Sequence, residues 1–269
     1  MVAKRYWMIA LLLAISLSAS WTHWLWMVRR ANDGSDDPWG IVALVTVVAL
    51  VWVDRRALRL PSQRTLLVTV MLTGVANLSW GASPPILSAA LALLGVAGLV
   101  SGLLPGRRPV LPLLMLSMLA LPVVASLNFY LGYPLRWFCA QAATQALSLL
   151  GLDVIPQGAS LLWNGQPILI DAPCAGIAML WIGFYLAALF SYINSASAAR
   201  SGATLAMATV IVVMANVLRN TLLFYKEAGI VQLPHWTHEA IGLLIFGLIV
   251  PVIYKSAALG KSGGSHENR

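Results

Sequence analysis

Cysteine is scarce in this chain: Cys139 and Cys174 are its only two. Cys174 sits in "LIDAPCAGIAMLW", residues 169–181, where Asp171 and a proline lead into a long apolar run. A second stretch, "VVMANVLRNTLLFYKEAG", buries Arg219 inside an apolar segment with Asn216 three residues earlier, on the same helical face. A charge inside a membrane span costs about 2.5–3.5 kcal/mol even on the lenient insertion scale and marks a functional site by default. A third, "LPHWTHEAIGLLIFG", sets His235 and His238 at i and i+3, on one face of a helix that Pro234 can open. Thiol, imidazole and guanidinium together suit acyl transfer. The thiolate attacks a peptide carbonyl, and a histidine takes the thiol proton and returns it to the leaving amine. Arginine stays protonated, so it holds the oxyanion, steadies the thiolate or clamps a carboxylate. Each residue also has a plainer use: Cys174 as a small packed side chain, Arg219 snorkelling to headgroups, the histidines as packed rings.

The elements that position these residues are membrane helices. Of 269 residues, 59% are hydrophobic and 10% charged, and mean hydropathy is +0.82, far from the composition of a soluble domain. The excess comes in blocks long enough to span a bilayer. The expected fold is an all-α polytopic membrane protein with about eight spans, near 6–28, 39–53, 65–81, 84–104, 109–131, 174–193, 203–225 and 237–255. The first is read as an uncleaved span, since it is long and ends in "THWLWMVRR" rather than a small-residue cleavage site. A net charge of +8 would suggest nucleic acid in a soluble protein, but here the basic residues fall in short loops and report topology. One set comprises Lys4 and Arg5, then Arg55, Arg56, Arg59 and Arg64, then Arg107 and Arg108, then Arg200, then Lys255, Lys261 and Arg269. It alternates with eight spans if both termini are cytoplasmic and the loops after spans one, three, five and seven face outward. Two cysteines make no disulfide framework.

The long loop, about 132–173, is outward in this scheme. "PLRWFCAQAATQALSLLGL" reads as an amphipathic helix at the outer interface, closed by Gly151. Asn164-Gly165 between apolar runs signals a hairpin with strands near 159–163 and 166–171. It delivers the chain to Cys174, expected in the first turn of the sixth span, with Asp171 or Ala172 near the N-cap. There the helix dipole would lower the thiol pKa, and Asp171 would oppose it. The domains read as a five-helix membrane region (1–131), a catalytic region (132–255) and a disordered cytoplasmic tail (256–269).

Loop charge alone places Cys174, Arg219 and the histidines, from three different spans, at one outer leaflet. That convergence favours one thiol-based site. Two other readings stay open. His235, His238, Asp171 and Cys174 are ligand types zinc accepts, although no spacing fixes a third ligand, so no metal and no cofactor is assigned. A non-enzymatic transporter or scaffold would instead use Arg219 to bind an anionic ligand or lipid.

The pattern resembles the exosortase/archaeosortase family of membrane transpeptidases. "PCAGI" matches its cysteine motif at Cys174 and Gly176, "NVLR" its Asn-x-x-Arg motif at Asn216 and Arg219, and "HEAIGLLIFG" its histidine at His238. The likeness covers about 133–254; Ala175 stands where the family has serine, and Pro173 replaces a small residue. The resemblance implies a catalytic trio of Cys174, Arg219 and His238, with Asn216, His235, Asp171 and Gly176 in support. It also implies a thioester intermediate and substrates that are secreted proteins ending in a short motif, a transmembrane helix and a basic cluster. The implied setting is a bacterial inner membrane with the site facing outward, among membrane lipid, alongside a surface-polysaccharide system, and with no role for nucleic acid.

Overall fold

The computed structural model describes residues 2–34, 39–104, 106, 109–234 and 236–258. It is mostly helical, with ten α-helices and one small antiparallel sheet among the described residues. The chain folds as two compact units, Met1–Val123 with Ala188–Ser201, and Val124–Ala187 with Gly202–Arg269.

In the first unit, α1 (Val2–Ala19) and α2 (Trp21–Asn32) are separated by a break at Ser20 and bent by 67°. One straight span over 6–28 was expected, so the break is a correction. The break falls where an apolar α1 gives way to an α2 carrying His23, Arg29 and Arg30. The carbonyls freed at the bend find donors: Trp24 Nε1 reaches Leu17 O at 2.8 Å and Asn77 Nδ2 reaches Ala19 O at 3.0 Å. His23 is fully buried, bonded to Ala76 O at 3.3 Å and packed edge-on to Trp80. Next come α3 (Trp39–Val53), α4 (Gln63–Ser79, capped by Ser62), α5 (Pro85–Leu103) and α6 (Val110–Met118). Close backbone approach uses small residues, as membrane helices do. Gly95 lies against Thr73 and Thr69, and Gly102 against Thr65.

The second unit begins with α7 (Val124–Leu149). A continuous fifth span over 109–131, followed by a separate amphipathic helix, was expected. The chain instead leaves helix between α6 and α7, at Leu119–Val123, where Pro122 disfavours helical backbone before it. The amphipathic segment is the second half of α7, which runs on through Pro134. As expected, α7 closes at Gly151 (φ +85), with Leu152 N donating to Leu147 O at 3.1 Å.

The hairpin forms as β2 (Ser160–Trp163) and β3 (Gln166–Leu169), with Trp163 opposite Gln166. Asn164 (φ +52) and Gly165 (φ +76) make the two-residue turn, the left-handed pair that suits the twist of the strands. A third strand, β1 (Ile155–Gln157), pairs with β2. Three residues including Pro156 give no alternating signal, and a proline belongs on such an edge. Three helices complete the chain: α8 (Ile177–Ile193), α9 (Ala198–Glu227) and α10 (Thr237–Ala258). Ser256–Ala258, assigned to a disordered tail, are helical; the rest of that tail lies outside the described residues. Within this unit Cys139, Ala140, Ala143, Leu147, Leu161, Cys174, Leu223 and Phe224 share one apolar core, with Trp163 edge-on to Phe224 at 5.9 Å.

Among the described residues, α5, α9 and α10 are each long and apolar enough to cross a membrane, and the bent α1–α2 pair makes a fourth if counted as one span. α3 and α8 are shorter apolar helices.

Candidate functional site

The site is built where the sheet hands the chain to α8. After β3, Ile170 N donates to Ala159 O at 3.2 Å and Asp171 is extended (φ −64, ψ 160). Residues Ala172–Ala175 then form a 3-10 turn. Cys174 N donates to Asp171 O at 2.9 Å, which fixes the cysteine's backbone within the turn. Gly176 (φ +86) ends the turn before α8 begins. A β-carbon at 176 would lie 2.7 Å from both Cγ and Nδ2 of Asn216. Glycine is therefore demanded twice, by left-handed backbone and by close approach.

α9 supplies one polar face. Asn216, Arg219, Asn220, Leu223 and Glu227 follow helical spacing along it. Asn216 Nδ2 and Asn220 Nδ2 both donate to the Cys174 carbonyl, at 3.1 and 3.2 Å. Asn220 Nδ2 also donates to Asn216 O at 2.9 Å, and Asn216 Nδ2 to Cys139 Sγ at 3.3 Å. Two buried amides thus clamp the cysteine from α9, a polar network in a site where bonds are strong and orphans costly. The positive charge of Arg219 acts on the Cys174 thiol. Its Nε is buried without a partner, as is Asn216 Oδ1. Gly242 of α10 makes room for it, since a β-carbon there would lie 3.3 Å from Nε.

His238, in the first turn of α10, bonds through Nε2 to Glu227 Oε1 at 2.9 Å. Cys174, Asp171, Asn220, Glu227 and His238 line one narrow cavity, walled by Leu161 and Ile168 from the sheet and by Phe224 from α9. Cys174 is 6% exposed. Burial pushes its pKa above the ordinary thiol value; the positive charge and hydrogen bond of Arg219 pull it down, and the charges of Asp171 and Glu227 push it up.

These facts correct one expectation. Cys174 is not in the first turn of an α-helix but in a 3-10 turn cut off from α8 by Gly176, and burial raises its pKa. Asp171 does cap the turn by position, without a side-chain bond. His235 lies outside the described residues. Ala175 is 2% exposed; a serine there would have to bury its hydroxyl. Among the described residues no three His, Cys, Asp or Glu side chains converge to hold a metal. Asn220 and Glu227 were not anticipated. Asn220 is signalled by its place four residues after Asn216 in "NVLRN", and Glu227 by its place eight after Arg219 on the same face, once α9 is known to run that far.

Compared with known proteins, residues 26–254 match the family model described as transmembrane exosortase. No curated protein and no solved structure matches the chain.

Proposed function

The chain belongs to the transmembrane exosortase family, and from that premise we propose that it is a cysteine transpeptidase working at Cys174, Arg219 and His238. Family membership implies a membrane protein that processes sorting signals. The observation that carries the residue assignment is the shared cavity, which Cys174 and His238 line together; the charge of Arg219 acts on the same thiol.

The reaction follows from the groups present. His238 takes the thiol proton as the sulfur attacks the carbonyl carbon of the scissile peptide, and the carbonyl π electrons move to oxygen. Arg219 steadies that oxyanion; its buried, unpartnered Nε is a donor free for the purpose. The C–N bond breaks, the imidazolium returns its proton to the amine, and a thioester remains on Cys174. An acceptor amine, hydroxyl or water then attacks the thioester and gives its proton to His238. The C–S bond breaks and the thiol is re-formed. Asn216 and Asn220 hold the Cys174 carbonyl throughout, and Gly176 lets Asn216 come close.

The substrates are proteins ending in a short motif, a transmembrane helix and a basic cluster, and the motif meets the site at the outer leaflet of a bacterial inner membrane. Eight crossings with cytoplasmic termini place it there. Loop charge supports this, as does the pairing of helix ends in the first unit: Tyr192 Oη donates to Asp54 Oδ2 at 2.9 Å and Arg59 N to Leu103 O at 2.8 Å, joining ends all assigned to the basic side. A Cys174→Ala variant co-expressed with a sorting-signal substrate should leave it unprocessed. Unchanged processing would refute the proposal, and Cys174→Ser retaining full function would favour a transporter or scaffold built on Arg219.

A further inference from the structure

We infer that Glu227 is the positioning residue for His238, orienting its ring for proton exchange with Cys174. The inference rests on the assignment of Cys174 and His238 above. Three observations carry it. Glu227 Oε1 and His238 Nε2 are 2.9 Å apart. An ionised carboxylate only accepts, so Nε2 carries the hydrogen and Nδ1 keeps a lone pair. That is the tautomer a base needs, held as a buried aspartate holds it in serine hydrolases. Second, Glu227, His238 and Cys174 line one cavity, which brings carboxylate, ring and thiol to one site. Third, the direct field of Glu227 on the thiol is unfavourable to thiolate. Any help it gives must pass through His238, by stabilising the imidazolium that forms when the thiol proton is taken.

The two routes have opposite signs, and this makes the role testable. If Glu227 acted on Cys174 directly, neutralising it would speed thiolate chemistry; acting through His238, neutralising it slows that chemistry. Both side chains are partly exposed, 28% for His238 and 43% for Glu227. The loss should therefore be about 10–100-fold in kcat, below the roughly 10⁴-fold seen for the buried aspartate of a serine-protease triad.

The experiment uses the full-length protein in detergent micelles, with variants Glu227→Gln, Glu227→Asp, His238→Ala and the double variant His238→Ala/Glu227→Gln. Alkylation of Cys174 by iodoacetamide at neutral pH is followed by peptide mass spectrometry, beside cleavage of a sorting-signal substrate. Glu227→Gln should slow Cys174 alkylation about tenfold and lower kcat with KM unchanged within about twofold. In the His238→Ala background it should slow alkylation no further, or speed it. Glu227→Asp, which keeps the charge, should retain more rate than Glu227→Gln. Wild-type or faster alkylation in Glu227→Gln would overturn the inference. So would an equal slowing in both backgrounds, which marks a structural role, or an Asp variant slower than Gln. Processing that survives His238→Ala and Cys174→Ala would sink the site assignment itself. Processing lost in both but intact in Glu227→Gln would sink only the role of Glu227.

Discussion

Substituting Gly176 by alanine should damage stability and catalysis together, by amounts the local geometry fixes. The backbone at 176 has φ +86, where a β-carbon costs about 1–2 kcal/mol. That carbon would also lie 2.7 Å from Cγ and Nδ2 of Asn216 and 3.2 Å from its Cβ. Relieving such a clash inside a packed site costs about 1–3 kcal/mol. The sum is about 2–5 kcal/mol, of which the second part comes from moving Asn216. That movement breaks the 3.1 Å bond to the Cys174 carbonyl and the 3.3 Å bond to Cys139, leaving only Asn220 on that carbonyl. Unfolding in mixed micelles, followed by tryptophan fluorescence, reads the stability loss; cleavage of a sorting-signal substrate reads the catalytic loss. The double variant Gly176→Ala/Asn216→Ala separates the two parts. Removing the Asn216 amide relieves the clash but not the backbone cost, so the double should be less destabilised than the sum of the singles. Wild-type stability and rate in Gly176→Ala would refute the reasoning, and strict additivity would refute the clash with Asn216 as its cause.

Three further outcomes test the site. Asp171→Asn removes a charge that raises the Cys174 pKa, while Arg219→Gln removes one that lowers it. At pH 7, below the raised pKa, the thiolate fraction climbs as the pKa falls, so iodoacetamide should label Cys174 faster in Asp171→Asn and slower in Arg219→Gln. Labelling of the wild type against pH should have its midpoint above that of a free thiol. Asn220→Ala removes donors from two buried carbonyls, Cys174 O and Asn216 O, and should cost about 1–3 kcal/mol in unfolding free energy with a fall in kcat larger than any change in KM. Gly242→Val pushes side-chain atoms into the space beside Arg219 Nε; it should lower cleavage toward the level of Arg219→Gln while leaving Glu227→Gln effects unchanged in that background.

The residues that carry the motif were legible because type and order alone pick them out. Cys174, Asn216, Arg219 and His238 are polar groups in apolar stretches of the sequence, and the loop-charge scheme assigns them to one leaflet. Asn164-Gly165 specified its turn because few pairs accept positive φ at both positions. What was not legible has physical reasons too. Hydropathy averages over a window, so it does not locate the break at Ser20 or the one near Pro122. Lys226 and Glu227 read as a polar loop, yet they complete the last turn of α9, and that one turn converts Glu227 from a loop charge into a partner for His238. The 3-10 turn at Cys174 was hidden because Gly176 reads equally as a small helical residue. The close approach of Asn216, which also demands glycine there, is distant in sequence. Burial of the thiol, which reverses the expected direction of its titration, depends on the sheet and α9 covering it and has no local signal.

The central claim is that Cys174 becomes acylated by the substrate. Incubating the full-length protein with a sorting-signal substrate, quenching with acid and mapping the adduct by mass spectrometry tests it most directly. The account predicts a substrate fragment on Cys174 that hydroxylamine releases, absent in Cys174→Ala and accumulating when the acceptor is withheld. Cleavage that proceeds in Cys174→Ala, or a fragment carried on Cys139 instead, would contradict it.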